Sequence, residues 1–169
     1  MAPQFPVNTH RLNPYPNMRF LLLFEGRPTP VAGVSKISAL KRSTEVITHT
    51  DGGNPNNAYL APSRWKFEPI TVERGITHDP DFEAWANLVY SADGDTAISL
   101  KFFRRNLLIK LLSEQGQEAL VYKVYRCWVS EFQALPELDA NGHAVAIEHM
   151  VIQNEGWERD TSVPEPTET

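Results

Sequence analysis

Eight residues are the candidate ligands for a metal ion, and no spacing among the plentiful carboxylates selects a pair for acid–base catalysis. The eight candidates are His49, Asp51, His78, Asp79, Asp81, His143, Glu148 and His149. None of them forms a recognised ligand spacing such as H-E-x-x-H or a calcium-binding EF-hand loop. Glu148 and His149 are neighbours in a predicted strand, so their side chains point to opposite faces of a sheet. The sequence therefore predicts no metal site and no cofactor.

Motifs for covalent or phosphate chemistry are also missing from the sequence. Gly52 and Gly53 are not part of a phosphate-binding loop, and no G-x-S-x-G nucleophile motif occurs. Cys127 lies in the apolar, aromatic stretch Val124–Val129, with no identifiable histidine partner, which is typical of a small buried side chain. We therefore expect a binding or assembly protein, not an enzyme.

The charge balance argues against nucleic-acid binding. The chain has a formal net charge of -5, whereas neutralising phosphates requires clustered Lys and Arg. One basic cluster exists, at Lys101, Arg104, Arg105 and Lys110. Because the overall charge is negative, we interpret this cluster as a solvated face or a subunit contact.

The chain of 169 residues is predicted to contain one folded domain, over residues 18–159. Its 41% hydrophobic and 22% charged residues are ordinary values for a folded domain. Residues 1–17 carry four prolines and are predicted to form a loose arm. Residues 160–169, with Pro164 and Pro166 among Ser, Thr and Glu, are predicted to be a disordered tail.

The residues predict that the chain is made in a reducing cytoplasm, without a signal peptide. Met1–Val7 has no basic residue and no long apolar run, so it does not look like a secretory signal. The single cysteine rules out an intrachain disulfide and suits a reducing compartment.

Most of the domain carries strand signals. Extended segments are predicted at Met18–Glu25, Thr44–Thr48, Arg64–Arg74 with a phase change at Pro69, Leu107–Leu112, Leu120–Phe132 and Ala144–Ile152. In Leu120–Phe132, strict alternation places Val124 and Trp128 on one face, and Cys127 and Val129 on the other. Strands that are apolar on both faces need cover on both faces, which a neighbouring subunit could supply.

One helix is predicted over about residues 80–90. Asp79 can cap its N-terminus, and Pro80 suits its first position. Phe82, Trp85 and Val89 recur at helical spacing and are expected to pack on the sheet. The residues thus indicate a mainly β domain with one packed helix.

Three segments of the sequence resemble one known family. They read Phe20–Leu23 followed by Val31-Ala32-Gly33-Val34-Ser35; Arg74-Gly75-Ile76-Thr77 followed by Asp79, Phe82 and Trp85; and Leu138-Asp139-Ala140-Asn141-Gly142 followed by Val145-Ala146-Ile147-Glu148. Their order and spacing resemble the tail tube proteins of contractile phages and contractile injection systems. Ala39, where the family usually has Gly, and the long Ser91–Phe103 connection depart from that pattern.

The resemblance implies an antiparallel β-barrel or sandwich with one packed helix, similar to the haemolysin-coregulated tube protein of type VI secretion. It implies hexameric rings that stack into a hollow tube inside a contractile sheath. The implied partners are further copies of the chain, the sheath protein, baseplate or spike proteins, a terminator or cap protein, and cargo in the lumen. Membrane binding by the subunit itself and sequence-specific nucleic-acid binding are not expected.

In that family, the region equivalent to Thr50–Ser63 contacts the next ring. We therefore expect this stretch to be a long loop that mediates ring stacking. The expected anchors are Tyr59 and Leu60, and the expected hydrogen-bonding residues are Asp51, Asn54 and Asn57. Two alternatives remain open at this point: a stand-alone β-barrel that binds a small ligand or metal, and a small hydrolase or isomerase on a barrel.

Overall fold

A computed structural model describes residues 14–50, 52–53, 58–90 and 102–167 of the chain. Nine strands and one helix lie within these ranges. They are β1 (Phe20–Phe24), β2 (Val34–Ile37), β3 (Arg42–Thr50), β4 (Ala58–Phe67), β5 (Ile70–Gly75), α1 (Asp81–Ala86), β6 (Arg105–Leu112), β7 (Glu118–Gln133), β8 (Ile147–Gln153) and β9 (Gly156–Arg159). The predicted mainly β, antiparallel fold with one packed helix is confirmed.

Seven strands form one sheet. The sheet has two halves, and the long strand β7 takes part in both. The first half contains β1, β6, β7 and β9, and the second contains β7, β8, β5 and β2. Of the two predicted arrangements, barrel or sandwich, a closed barrel is not formed by the described residues, because their sheet path ends at β1 and β2 without joining them. At the outer edge of β1, the N–H of Val31 donates to the carbonyl of Leu22 at 2.8 Å.

A bulge in β7 carries the chain from one half of the sheet to the other. Arg126 lies there at φ 51°, in the left-handed region that side-chain-bearing residues rarely adopt. β6 pairs with β7 as far as Cys127, and β8 pairs with β7 from Trp128 onward. Because the bulge shifts the alternation, Val124, Cys127 and Val129 all enter the core. The predicted division of this strand into two regular faces is therefore wrong.

Strand β8 begins later than predicted, at Ile147, so that Val145 lies outside it and is exposed. Its core-facing residues are Glu148, Met150 and Ile152.

The helix packs on the sheet through aromatic side chains. Phe82 and Trp85 are fully buried, and the Trp85 ring meets Phe24 edge-on at 5.3 Å between ring centroids. The indole N–H of Trp85 donates to the carbonyl of Phe103 at 2.8 Å.

The helix is shorter than the predicted span of residues 80–90, and it ends at Ala86. Val89 lies beyond its end, half-buried, in a turn whose N–H groups bond three residues back and so tighten the chain. Across the residues that the structure describes, no helix is long and apolar enough to cross a membrane.

Candidate assembly interface

Strands β3 and β4 form a separate two-stranded sheet that projects from the domain. Thr48 lies opposite Leu60, and Thr44 lies opposite Trp65, with a register shift between them. That shift places one extra β4 residue opposite Glu45, directly after Pro62. A bulge suits this position because proline has no N–H to contribute to the ladder.

One face of this hairpin is apolar and uncovered. Val46, Leu60 and Trp65 share it, with Leu60 71% and Trp65 70% exposed. On the opposite face, Ile47 and Tyr59 are also exposed. An isolated two-stranded hairpin is marginally stable in water, so cover on its apolar face would stabilise this one.

The root of the hairpin is anchored to the main sheet. Phe67 meets the Trp157 ring at 6.3 Å between centroids, and a Cβ on Gly156 would lie 3.5 Å from the Phe67 ring. The side-chain amide of Asn154 donates to the carbonyl of Glu68 at 3.0 Å. These contacts fix the base while the rest of the hairpin projects.

The stacking residues predicted from the sequence lie in or beside this hairpin. Tyr59 and Leu60 are on strand β4 and not in a loop, because β4 already begins at Ala58. The predicted loop from Thr50 to Ser63 is therefore too long. Asp51, Asn54 and Asn57 lie outside the described residues.

A buried ionic cluster near the helix was not identified from the sequence. The guanidinium of Arg74, 1% exposed, donates from Nε to the carboxylate of Glu148 and from Nη2 to the carbonyl of Asp79 at 2.6 Å. Its carbon lies 4.2 Å from the Phe82 ring centroid. Arg74 and Glu148 belong to two of the segments that carry the family resemblance, but only the register of β5 and β8 shows that they meet.

Seven of the eight candidate ligands lie in the described residues, and they form no metal-binding group; Asp51 lies outside those residues. Within the described part of the chain, no three His, Cys, Asp or Glu side chains are grouped so that they could hold a metal ion. Burial raises the pKa of the Cys127 thiol to about 12, which keeps it protonated at neutral pH.

The predicted basic cluster does not form a continuous positive patch among the described residues. Arg104 pairs with Glu155 at 3.4 Å, and Lys110 pairs with Glu118. Arg105 instead stacks on the ring of Phe24, 5.1 Å from its centroid. Lys101 lies outside the described residues.

An open groove of about 560 Å³ lies between the two ends of the sheet path. Its lining includes Phe20 of β1, Ile37 of β2 and Leu111 of β6. It lies at the seam between β1 and β2, which do not pair with each other within the described residues.

Solved structures with a similar fold come from two contractile systems. A chain in the anti-feeding prophage baseplate has a TM-score of 0.69 and 21% identity, covering 87% of this chain and 95% of its own. A chain in the anti-feeding prophage tube-terminating cap has a TM-score of 0.72 and 18% identity, covering 95% and 97%. A chain in the extended sheath–tube complex of the extracellular contractile injection system PVC has a TM-score of 0.70 and 17% identity, covering 87% and 91%.

The family itself is shown by sequence. No curated protein sequence matches the chain significantly. The model of the T4-like virus tail tube protein gp19, however, matches residues 16–158. This match gives no support to the small-ligand alternative. Since it spans most of the chain, the protein belongs to the T4-like tail tube family, and the role predicted from the resemblance, a structural subunit of a tail tube, is confirmed.

Proposed function

We propose that the chain assembles into hexameric rings, and that these rings stack into a hollow tube through the β3–β4 hairpin. The observation that carries the proposal is the hairpin itself, a two-stranded sheet with both faces exposed and its apolar face uncovered. Burying a side chain such as Leu60 or Trp65 contributes about 1.5–3 kcal/mol, which a neighbouring copy would supply.

Ring closure is supported by the two edges of the second half-sheet. At one edge, no described strand pairs with the outer side of β2. At the other edge, β7 from Trp128 onward pairs with β8 on one side only, within the described residues. Unpaired edges are templates for another chain, so neighbouring copies would join edge to edge around a ring. The number six comes from the family resemblance.

The remaining partners follow from the similar structures. A sheath, a baseplate and a terminating cap appear in the descriptions of those structures. We assign the same partner classes to this chain, with cargo in the lumen, synthesis in the bacterial cytoplasm, and no catalytic activity.

The test is to measure the mass of the purified assembly and to image it by electron microscopy. Native mass spectrometry is expected to show a hexamer, and negative-stain microscopy is expected to show stacked rings. A variant with residues 54–60 replaced by a short Gly-Ser linker is expected to keep the ring but to lose long tubes. A soluble monomer at high concentration would contradict ring formation, and full-length tubes from the linker variant would contradict hairpin stacking.

A further inference from the structure

A second set of exposed apolar side chains lies at the far end of the half-sheet from the hairpin. It belongs to the connection between β7 and β8, residues 134–146, which we call the receptor loop. Leu138 and Val145 are 70% and 78% exposed, and Leu135 is also exposed. A turn holds the tip of this loop, in which Gly142 donates its N–H to the carbonyl of Asp139 at 3.0 Å.

Strand register places the hairpin and the receptor loop at opposite ends. The hairpin leads directly into β5, whose first residue Ile70 pairs with Ile152. At the other end of β5, Gly75 pairs with Ile147, and the N–H of Ile76 donates to the carbonyl of Ala146, within the receptor loop, at 3.1 Å. Six strand residues separate the two ends, which is about 20 Å.

Both surfaces are apolar, and the charges around them are opposite in sign. Residues 41–67 contain four basic and two acidic residues; the exposed Arg42 lies opposite Phe67 at the root of the hairpin, and the exposed Arg64 lies in the bulge next to Trp65. Residues 134–146 contain Glu137 and Asp139, both exposed, and no Lys or Arg. Opposite charge around two apolar patches favours one mutual orientation and disfavours contacts between like surfaces.

We propose that the receptor loop of one copy binds the apolar face of the hairpin of a second copy. This inference rests on the proposed stacking role of the hairpin, and it names the surface that receives it. Because the two surfaces differ and lie at opposite ends, the contact is head-to-tail and leaves one free surface of each kind. Such a contact repeats without closing, as a tube requires, and it gives the tube a polarity along β5 and β8.

Charge reversal tests the pairing. Glu137→Lys in the receptor loop is expected to lower the yield of sedimentable tubes at least about tenfold while hexamers persist, because like charges then meet across the interface. Arg42→Glu combined with Arg64→Glu in the hairpin is expected to do the same. The protein that carries all three substitutions is expected to recover tubes. All three sites are exposed, and thermal melting of each variant checks that the fold is intact.

Site-specific crosslinking of the assembled protein provides a second readout. Leu60→Cys and Leu138→Cys are made in separate chains, mixed, and treated with a short bismaleimide. The native Cys127 is fully buried and serves as an unreactive background. A covalent dimer in the mixture, but in neither variant alone, supports the pairing. Dimers of Leu60→Cys with itself, or no crosslink in a sample that contains tubes, would overturn it.

Two variants distinguish an error in the receptor-loop pairing from an error in hairpin stacking. If the hairpin linker variant builds no tubes while Glu137→Lys builds normal ones, the receptor loop is wrong and hairpin stacking stands. If the linker variant builds full tubes, the hairpin does not stack rings, and both proposals fail together.

Discussion

Arg74 and Glu148 lie directly opposite each other on β5 and β8, buried to 1% and 6% exposure, and the arginine donates to the glutamate carboxylate. Asp79 binds the other side of the same guanidinium at 3.2 Å. This cluster links β8, β5 and the segment that enters the helix. Taking charges out of water is unfavourable, so each partner depends on the others.

Removing one member of the pair is expected to destabilise the fold strongly. Glu148→Gln should lower the free energy of unfolding by about 3–5 kcal/mol, because Arg74 is left buried with its main counter-charge removed. Urea unfolding of the two proteins measures the difference. The matched control is Glu73→Gln in the exposed Lys36–Glu73 pair, which should change the stability by less than about 1 kcal/mol. If the two substitutions lowered the free energy of unfolding equally, burial would not make the Arg74–Glu148 pair more important for stability than an exposed pair.

The sequence predicted where the long strands of the main sheet lie better than it predicted the short strands or which strands pair with one another. Long segments such as Leu107–Leu112 have enough residues for a periodic pattern, and β6 occupies that segment. The strands β2 and β9 have four residues each, which is too short for such a pattern. Pairing between Arg74 and Glu148 spans 74 positions of sequence, and local patterns carry no information over that distance.

The hairpin shows why a strand can be mistaken for a loop. Ala58–Pro62 has no alternation of polar and apolar residues, because β4 is exposed on both faces. Alternation arises only where one face is buried and the other is wet. Pro62 strengthens the appearance of a loop, although the bulge that follows it accommodates the missing N–H. Such a strand is held in place by hydrogen bonds to its partner strand, and any cover for its exposed side chains comes from another molecule.

Trp85 is expected to be the most sensitive position on the helix. Trp85→Ala should cost about 3–5 kcal/mol, since it empties a fully buried site against Phe24. Trp85→Phe should cost less, because it keeps most of the ring contact and loses the hydrogen bond to the Phe103 carbonyl. Chemical denaturation of both variants gives the comparison. If Trp85→Ala left stability unchanged, the helix would be peripheral to the core.

Asp160 links the end of β9 to the segment that follows it. Ser162 hydrogen-bonds to its carboxylate, and Lys123 lies 3.0 Å away, so the pKa of Asp160 is lowered from 3.8 to about 2. A lowered pKa stabilises the fold above the unfolded value of 3.8, and that contribution is lost as the pH falls from about 4 to about 2.

Truncating the chain after Asp160 tests this account and the role of the tail together. The fold is expected to survive, because the N–H of Asp160 still donates to the carbonyl of Val121. The pKa of Asp160, followed by carboxyl NMR, should rise from about 2, both because the Ser162 bonds are gone and because Asp160 gains the negative α-carboxylate of the new C-terminus, so the full-length Ser162 variant isolates the first cause. Ser162→Ala in the full chain should also raise this pKa, since it removes the hydroxyl bond. An unchanged pKa in both proteins would mean that Ser162 does not hold the carboxylate, and insoluble truncated protein would show that the tail is needed for folding.

The two faces of the hairpin are expected to contribute unequally to tube growth. Leu60→Ser combined with Trp65→Ser removes most of the exposed apolar area of one face without disturbing the core. Each apolar side chain that is no longer buried at the interface weakens association by about 1.5–3 kcal/mol, which lowers the association constant more than tenfold. Tube length under the microscope should therefore collapse, while the melting temperature of the subunit stays near the wild-type value. The matched comparison is Ile47→Ser combined with Tyr59→Ser on the opposite face, which separates the contribution of Tyr59, the other predicted anchor, from that of Leu60. If both variants shorten the tubes equally, the neighbouring copy encloses the hairpin from both sides and not through its more apolar face alone.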